Sequence, residues 1–172
     1  MNPARRATLG RLALALSAPL LSSRSLAAKD QRPAVEHAAW RPLLSAAAFE
    51  VLFEEATERP YSSPLNDEKR VGRYHCAACY SPLFSSAAKY DSGTGWPSFT
   101  EALPKAMGTK RDFKLLIPRT EYHCATCGGH QGHVFNDGPR PTGQRWCNNG
   151  LALRFVPEGE AAPALRWPAS AG

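Results

Sequence analysis

Apolar positions first fall into a helical period from Ser45 onward. Phe49, Leu52, Phe53 and Ala56 recur at i, i+3, i+4 and i+7, while Glu50, Glu54 and Glu55 lie off that stripe. Ser45 stands where an N-cap is needed and Pro60 stops the run, so the spacing predicts a helix over 45–57. The stripe reads as core packing. Residues 58–70, with Pro60, Pro64, Asn66 and Asp67, read as a long turn-rich loop. Downstream the pattern shortens to strand-like runs at 71–76, at 113–117, at 120–123 after Pro118, and at 151–156. In the last of these, large apolar residues alternate until Pro157 ends the run. The expectation is one mainly β domain with a leading helix, a linker over 29–42 and a flexible C-terminal tail over 158–172.

The first 28 residues follow a different pattern. Arg5-Arg6 precedes an apolar stretch over 12–21, broken by Ser17 and Pro19, and Ser25-Leu26-Ala27 offers small residues for cleavage. This segment resembles a twin-arginine export signal, which implies the periplasm. A mitochondrial transit peptide is the alternative, and either reading removes residues 1–28 from the folded domain.

The chain of 172 residues carries a net charge of +6. Four arginines and no acidic residue fall within 1–27, so beyond them seventeen basic residues face fifteen acidic ones. A body this close to neutral lacks the basic footprint of a nucleic-acid-binding surface. No apolar run approaches the roughly 20 residues of a membrane-spanning helix. With 43% apolar residues, fifteen Pro and thirteen Gly, the composition suits a turn-rich globular domain.

Cysteine spacing carries the strongest chemical signal. Cys76 and Cys79 form one Cys-x-x-Cys pair, and Cys124 and Cys127 form another. Each pair can turn two thiolates onto one cation, and two pairs complete a tetrahedral sulfur shell suited to one structural Zn²⁺. Gly128 follows the second pair, where a tight turn favours positive φ, whereas Tyr80 follows the first. Two disulfides or a redox-active Cys-x-x-Cys are the competing readings. Cys147 is left over, in Arg145-Trp146-Cys147-Asn148-Asn149-Gly150. Beside an arginine, its thiol is a candidate nucleophile with a lowered pKa; a buried, inert cysteine is the bland alternative. His130 and His133 follow the second pair and could act as acid and base, ligate a metal or serve structure. His75 and His123 each precede a knuckle cysteine and read as structural. Trp96, held extended before Pro97, suits either core or binding site.

Together these motifs resemble the B-type methionine sulfoxide reductases. The resemblance rests on Thr57-Glu58-Arg59-Pro60, both cysteine pairs and Gly95-Trp96-Pro97-Ser98-Phe99. It also rests on His130-x-Gly132-His133-Val134-Phe135, Asp137-Gly138-Pro139 and Arg145-x-Cys147-x-Asn149. It implies a reductase domain over 43–157, built as two small antiparallel sheets of the Mss4-like kind around a four-cysteine zinc site. The implied substrate is the R epimer of methionine sulfoxide in oxidised proteins and peptides. The implied nucleophile is Cys147, which becomes a sulfenic acid. His133 would protonate the sulfoxide oxygen, His130 and Asn149 would help hold it, and Trp96 would pack on the methyl group. Phe135, Asp137 and Arg145 would line or tune the site. Many family members place a resolving cysteine where this chain has Thr94, so the resemblance implies an external thiol reductant: a thioredoxin-like protein, a glutaredoxin system or a small thiol. A zinc-knuckle binding module or a Cys-His hydrolase would account for fewer of these residues.

Overall fold

The computed structural model describes residues 36–169. The targeting segment read over 1–28, with Arg5 and Arg6, lies outside them, as do 29–35 and 170–172.

The helix forms where the periodicity places it. Helix α1 spans Ala46–Glu54, and the Ser45 hydroxyl accepts the Ala48 N–H as its cap. Phe49, Leu52 and Phe53 are buried, and so is Val51, so the apolar face is broader than the stripe. The helix ends three residues earlier than the spacing predicts. Glu55 turns left-handed at φ 56°, and Lys110 and Lys114 hold its carboxylate. The stretch read as linker is not all linker. His37–Leu43 forms a 3-10 helix that buries Trp40 against Phe53, with ring centroids 5.6 Å apart.

All strands pair antiparallel. Strands β1 (Gly72–Cys76), β2 (Pro82–Ser85) and β9 (Leu153–Pro157) form a three-stranded sheet in the order β2-β1-β9. A second sheet orders β3 (Lys89–Tyr90), β4 (Ser98–Phe99), β8 (Arg145–Asn148), β7 (His130–Phe135), β6 (Arg119–Cys124) and β5 (Met107–Asp112) as β3-β4-β8-β7-β6-β5. The mainly β architecture and two antiparallel sheets agree with the sequence expectation. Aromatic rings lock the sheets together. Phe84 of β2 stacks on Phe99 of β4 at 4.0 Å, Tyr74 of β1 meets Phe99 at 5.0 Å, and Phe84 meets Tyr122 of β6 at 6.3 Å.

Three expectations are corrected. The run at 113–117 is not a strand but an exposed loop between β5 and β6. The strand before it, β5, lacks apolar alternation because it is an edge strand carrying Lys110 and Arg111. Within 151–156, the start is a 3-10 turn at Gly150–Ala152, because the buried Glu58 carboxylate accepts the N–H groups of Gly150 and Leu151. The tail is also pinned. The Arg166 N–H and guanidinium donate to the carbonyls of Cys79, Ala78 and Ala77, and Trp167 meets Trp40 at 5.8 Å.

Candidate active site and thiol cluster

The two cysteine pairs sit on equivalent turns. Cys76 N–H donates to the Ser81 carbonyl while Tyr80 N–H returns to Cys76, and Cys124 and Gly128 repeat this pattern with Gly129. The turn residue is left-handed in both, at φ 64° for Tyr80 and 77° for Gly128. The Tyr80 ring lies under two guanidinium groups, Arg166 at 4.2 Å and Arg154 at 5.1 Å.

The turns bring four thiols to one point. All four sulfur atoms lie within 4.8 Å of one another, and Cys76, Cys79 and Cys124 are buried. The Cys76–Cys127 and Cys79–Cys124 pairs stand 3.7 and 3.6 Å apart, and all five cysteines are free, so neither pair is a disulfide. A tetrahedral four-thiolate zinc site with bonds of about 2.3 Å has sulfur–sulfur edges of about 3.8 Å. The quartet therefore fits a divalent metal. Crowding pushes the Cys76 and Cys127 thiols up and Cys124 down, since four neighbouring thiols cannot all ionise unless a cation shares the charge. His75 has a structural partner, donating from Nδ1 to the Tyr80 carbonyl at 2.9 Å.

Cys147 lies apart from this cluster, half-buried in the middle of the larger sheet. Register places Lys110, Glu121, His133, Cys147, Ser98 and Tyr90 in one row across the six strands, so their side chains share a face. Cys147 is thus directly opposite His133. Close approach of β7 to β8 needs Gly132, because a Cβ there would meet the Cys147 carbonyl at 1.9 Å. His130, three residues from His133, should face the other side of a regular strand. A bulge between Tyr122 and His123 pairs His130 with His123 and leaves Gln131 as the extra residue. The bulge returns His130 to the His133 face, with their rings 5.6 Å apart.

A pocket of about 120 Å³ opens over Cys147, lined by Thr57, Trp96, Arg119, His133, Phe135 and Asn149 among others. His130, Asp137 and Arg145 do not line it. Trp96 is fixed through its indole N–H on the Glu58 carbonyl at 3.1 Å. The Asn149 amide is committed at both ends: Oδ1 accepts the Glu58 N–H and Nδ2 donates to the Gln131 carbonyl, each at 3.1 Å. Arg145 pairs with both carboxylate oxygens of Asp137 at 2.8 Å and lies 4.3 Å over the Phe135 ring. Asp137 itself is exposed.

The Cys147 thiol is not lowered, contrary to what its neighbouring arginine suggested. Burial pushes it up, opposed by the Arg145 charge and by hydrogen bonds from Thr94, Arg145 and Ser98. Burial is the larger of these effects. His133 is held down by burial, while its Nε2–H donates to Asp112 at 2.7 Å and so opposes the shift. Asp112 lies well below the ordinary carboxylate range under hydrogen bonds from the Lys114 N–H, His133 and Arg119.

Sequence reasoning missed Asp112 and Arg119, which brace His133. It also missed Glu121, whose carboxylate lies 2.9 Å from His130 Nδ1 and 3.2 Å from Lys110 Nζ. Glu58 stands in the Thr57–Pro60 motif, yet nothing in the sequence marks it as the anchor of Trp96, Asn149 and Gly150. Gln131 is the least expected. Fully buried, it donates to the Cys76 sulfur at 3.5 Å and accepts from Asn148, which in turn accepts the Tyr122 hydroxyl at 2.8 Å. The only sequence signal was a polar residue between two histidines in a predicted site.

The SelR domain family profile matches residues 44–157. The chain is similar to the peptide methionine sulfoxide reductase MsrB of Leifsonia xyli, 50% identical over 123 residues, covering 70% of this chain and 88% of that protein. The MsrB of Thiobacillus denitrificans is 49% identical over 122 residues, 70% of this chain and 92% of its own. The MsrB of the more distant Methanosarcina barkeri is 45% identical over 122 residues, 70% of this chain and 86% of its own.

Proposed function

The chain belongs to the SelR family of MsrB peptide methionine sulfoxide reductases and is a peptide-methionine (R)-S-oxide reductase; we propose that Cys147 carries the reaction. The Cys147 sulfur attacks the sulfoxide sulfur as a proton passes through His133 to the oxygen. From that adduct the oxygen passes to the Cys147 sulfur as the new sulfur–sulfur bond and the substrate S–O bond break, so methionine leaves as the thioether and Cys147 is left as a sulfenic acid. The substrate sulfur gains two electrons and the cysteine sulfur loses two, while the thiol hydrogen ends on the transferred oxygen.

The residues around Cys147 support these roles. Because His133 gives its Nε2–H to Asp112, Nδ1 is the atom with which it exchanges a proton. Asn149 has a second Nδ2 hydrogen beyond the one on Gln131, available to the sulfoxide oxygen. Trp96 and Phe135 form apolar walls for the methyl group. His130, outside the pocket, positions the His133 ring by an edge-to-face contact. Arg145, braced by Asp137, moderates the rise of the Cys147 pKa.

The sulfenic acid is resolved by an external thiol. The other four cysteines are the clustered ones, and position 94 offers only a threonine hydroxyl beside Cys147. Cys76, Cys79, Cys124 and Cys127 would hold one zinc ion, and four thiolates on it would make a structural link between the two turns. The Arg5-Arg6 segment directs the chain through twin-arginine export to the periplasm, a route whose loss on Arg5→Lys/Arg6→Lys would appear as cytoplasmic precursor.

One observation carries this reading: Cys147 and His133 are opposite residues on neighbouring strands beneath one pocket. Its test is turnover of each epimer of a peptidyl methionine sulfoxide with excess dithiol. The R epimer is consumed, the S epimer is not, and Cys147→Ser is inactive. Equal use of both epimers, an active Cys147→Ser, or an intramolecular Cys147 disulfide after turnover would each defeat part of the scheme.

A further inference from the structure

The loop between β5 and β6 exposes four large apolar side chains in succession around a lysine. Phe113 is 70% exposed, Leu115 57%, Leu116 104% and Ile117 78%. Scattered exposed leucines need no explanation, but a contiguous apolar tip beside an active pocket does. The tip is presented on a braced base. Asp112 Oδ1 accepts the Lys114 N–H, Lys114 Nζ pairs with Glu55, and Arg119 Nη2 closes back on Asp112 Oδ2.

The two ends of the loop belong to the candidate active site. Asp112 holds His133, and Arg119 lines the pocket over Cys147. The pocket, about 120 Å³, is small beside the roughly 300–1,000 Å³ of ordinary ligand pockets, so it takes a side chain and not the polypeptide that carries it. A polypeptide that places that side chain on Cys147 must therefore lay its flanking residues along the rim, and the 113–117 tip rises between Arg119, which lines the pocket, and Asp112, which holds His133. We propose that this tip is a docking surface for the apolar residues flanking methionine sulfoxide in a substrate polypeptide. The preferred substrates are then oxidised methionines in apolar stretches that a damaged protein has exposed.

The occupant follows from continuity with the pocket. Charge at the loop's base does not single out an anionic lipid surface, since Lys110 and Lys114 share Glu55 and Lys110 also reaches Glu121. The recognition is apolar and non-directional, so it should act on binding of flanking residues and leave the chemical step alone.

This inference rests on the reductase reading, and its test separates the two. Steady-state reduction with excess dithiol is measured for three R-sulfoxides: an acetylated single residue, a peptide with leucine and valine flanks, and one with serine and glycine flanks. The proteins are the native chain, Leu116→Ser, and Leu115→Ser/Leu116→Ser/Ile117→Ser. For the apolar-flanked peptide the triple variant should raise KM about tenfold, with the single change intermediate and kcat preserved. For the acetylated residue, kcat/KM should stay within about twofold. The native chain should handle the serine–glycine peptide much as the triple variant handles the apolar one.

Equal losses on every substrate would overturn the proposal, since the loop would then act through Asp112 and His133. Unchanged KM for the apolar peptide would also overturn it. Unchanged KM together with native binding to phosphatidylglycerol vesicles that the triple variant loses would replace it with a membrane-docking role. A native chain inert toward all three sulfoxides would defeat the reductase reading itself, and with it this inference.

Discussion

The same side chain does opposite things at two places in this molecule. Around the quartet, four sulfurs crowd within 4.8 Å, nearly all buried, on two turns that repeat the same hydrogen bonds. Around Cys147 the neighbours among the described residues are of other kinds: Thr94, Ser98, Arg145 and, across the strand, His133. A thiol among thiols has use only if a cation gathers the charge. A thiol among hydroxyls, a guanidinium and an imidazole can gain and lose a proton by itself. Turn geometry makes the first site, and strand register makes the second.

The largest expected effect breaks the comparison at the quartet. Cys124→Ser, or stripping metal from the native protein with a strong chelator, should unfold the domain, because a structural zinc contributes on the order of 10 kcal/mol of binding energy. Elemental analysis, circular dichroism and thermal melting check this. A metal-free variant with an unchanged melting temperature would sink the structural role. Cys147→Ser is the counterpart. It should retain metal and melting temperature while losing more than about a thousandfold in turnover.

A smaller effect concerns the proton at the second site. His133 is held below its ordinary 6.5 and Cys147 above its ordinary 9.0, so the resting pair is neutral imidazole and neutral thiol. The reactive form carries one proton between them. Acid adds a second through His133 and base removes the only one from Cys147. The profile of kcat/KM should therefore be a broad plateau with one limb below about 6.5 and one above about 9. Asp112→Asn removes the carboxylate charge that raises the His133 pKa through its hydrogen bond. It should shift the acid limb further down and lower kcat about tenfold or more. An acid limb that moves upward would contradict the pairing of His133 with Asp112.

The smallest effect sharpens the comparison by testing whether the two sulfur sites are independent. Gln131 touches both, donating to Cys76 and bracing Asn148 and Asn149 beside Cys147. Gln131→Leu should weaken metal retention about tenfold in a competition with a coloured chelator. It should also lower kcat several-fold, by loosening β8. A loss of metal affinity with unchanged kcat would mean that the sites are separate.

Much of this was legible along the chain. The Ser45 cap and the Phe49–Leu52–Phe53 stripe mark α1, and the spacing of the cysteines marks the quartet. Both are local: a helix face and a four-residue turn are defined by neighbours in sequence. The 113–117 run misled, because apolar content marks burial only when the fold supplies a partner, and here it does not. The tail misled in the other direction. Arg166 and Trp167 look like surface residues until the knuckle carbonyls and Trp40 are placed beside them.

Sequence by itself determined the inventory: four sulfurs spaced for one ion, one sulfur left over, two histidines three apart and a tryptophan before a proline. Tertiary structure decided which of these meet. The bulge at Gln131 set His130 and His133 on one face, register put His133 opposite Cys147, and Asp112, from an edge strand with no apolar signature, braced the imidazole. Register and bulges depend on hydrogen bonds between strands, and these partners, though only seven residues apart for His123 and His130 and fourteen for His133 and Cys147, carry no mark in their own side chains of which residue will face which.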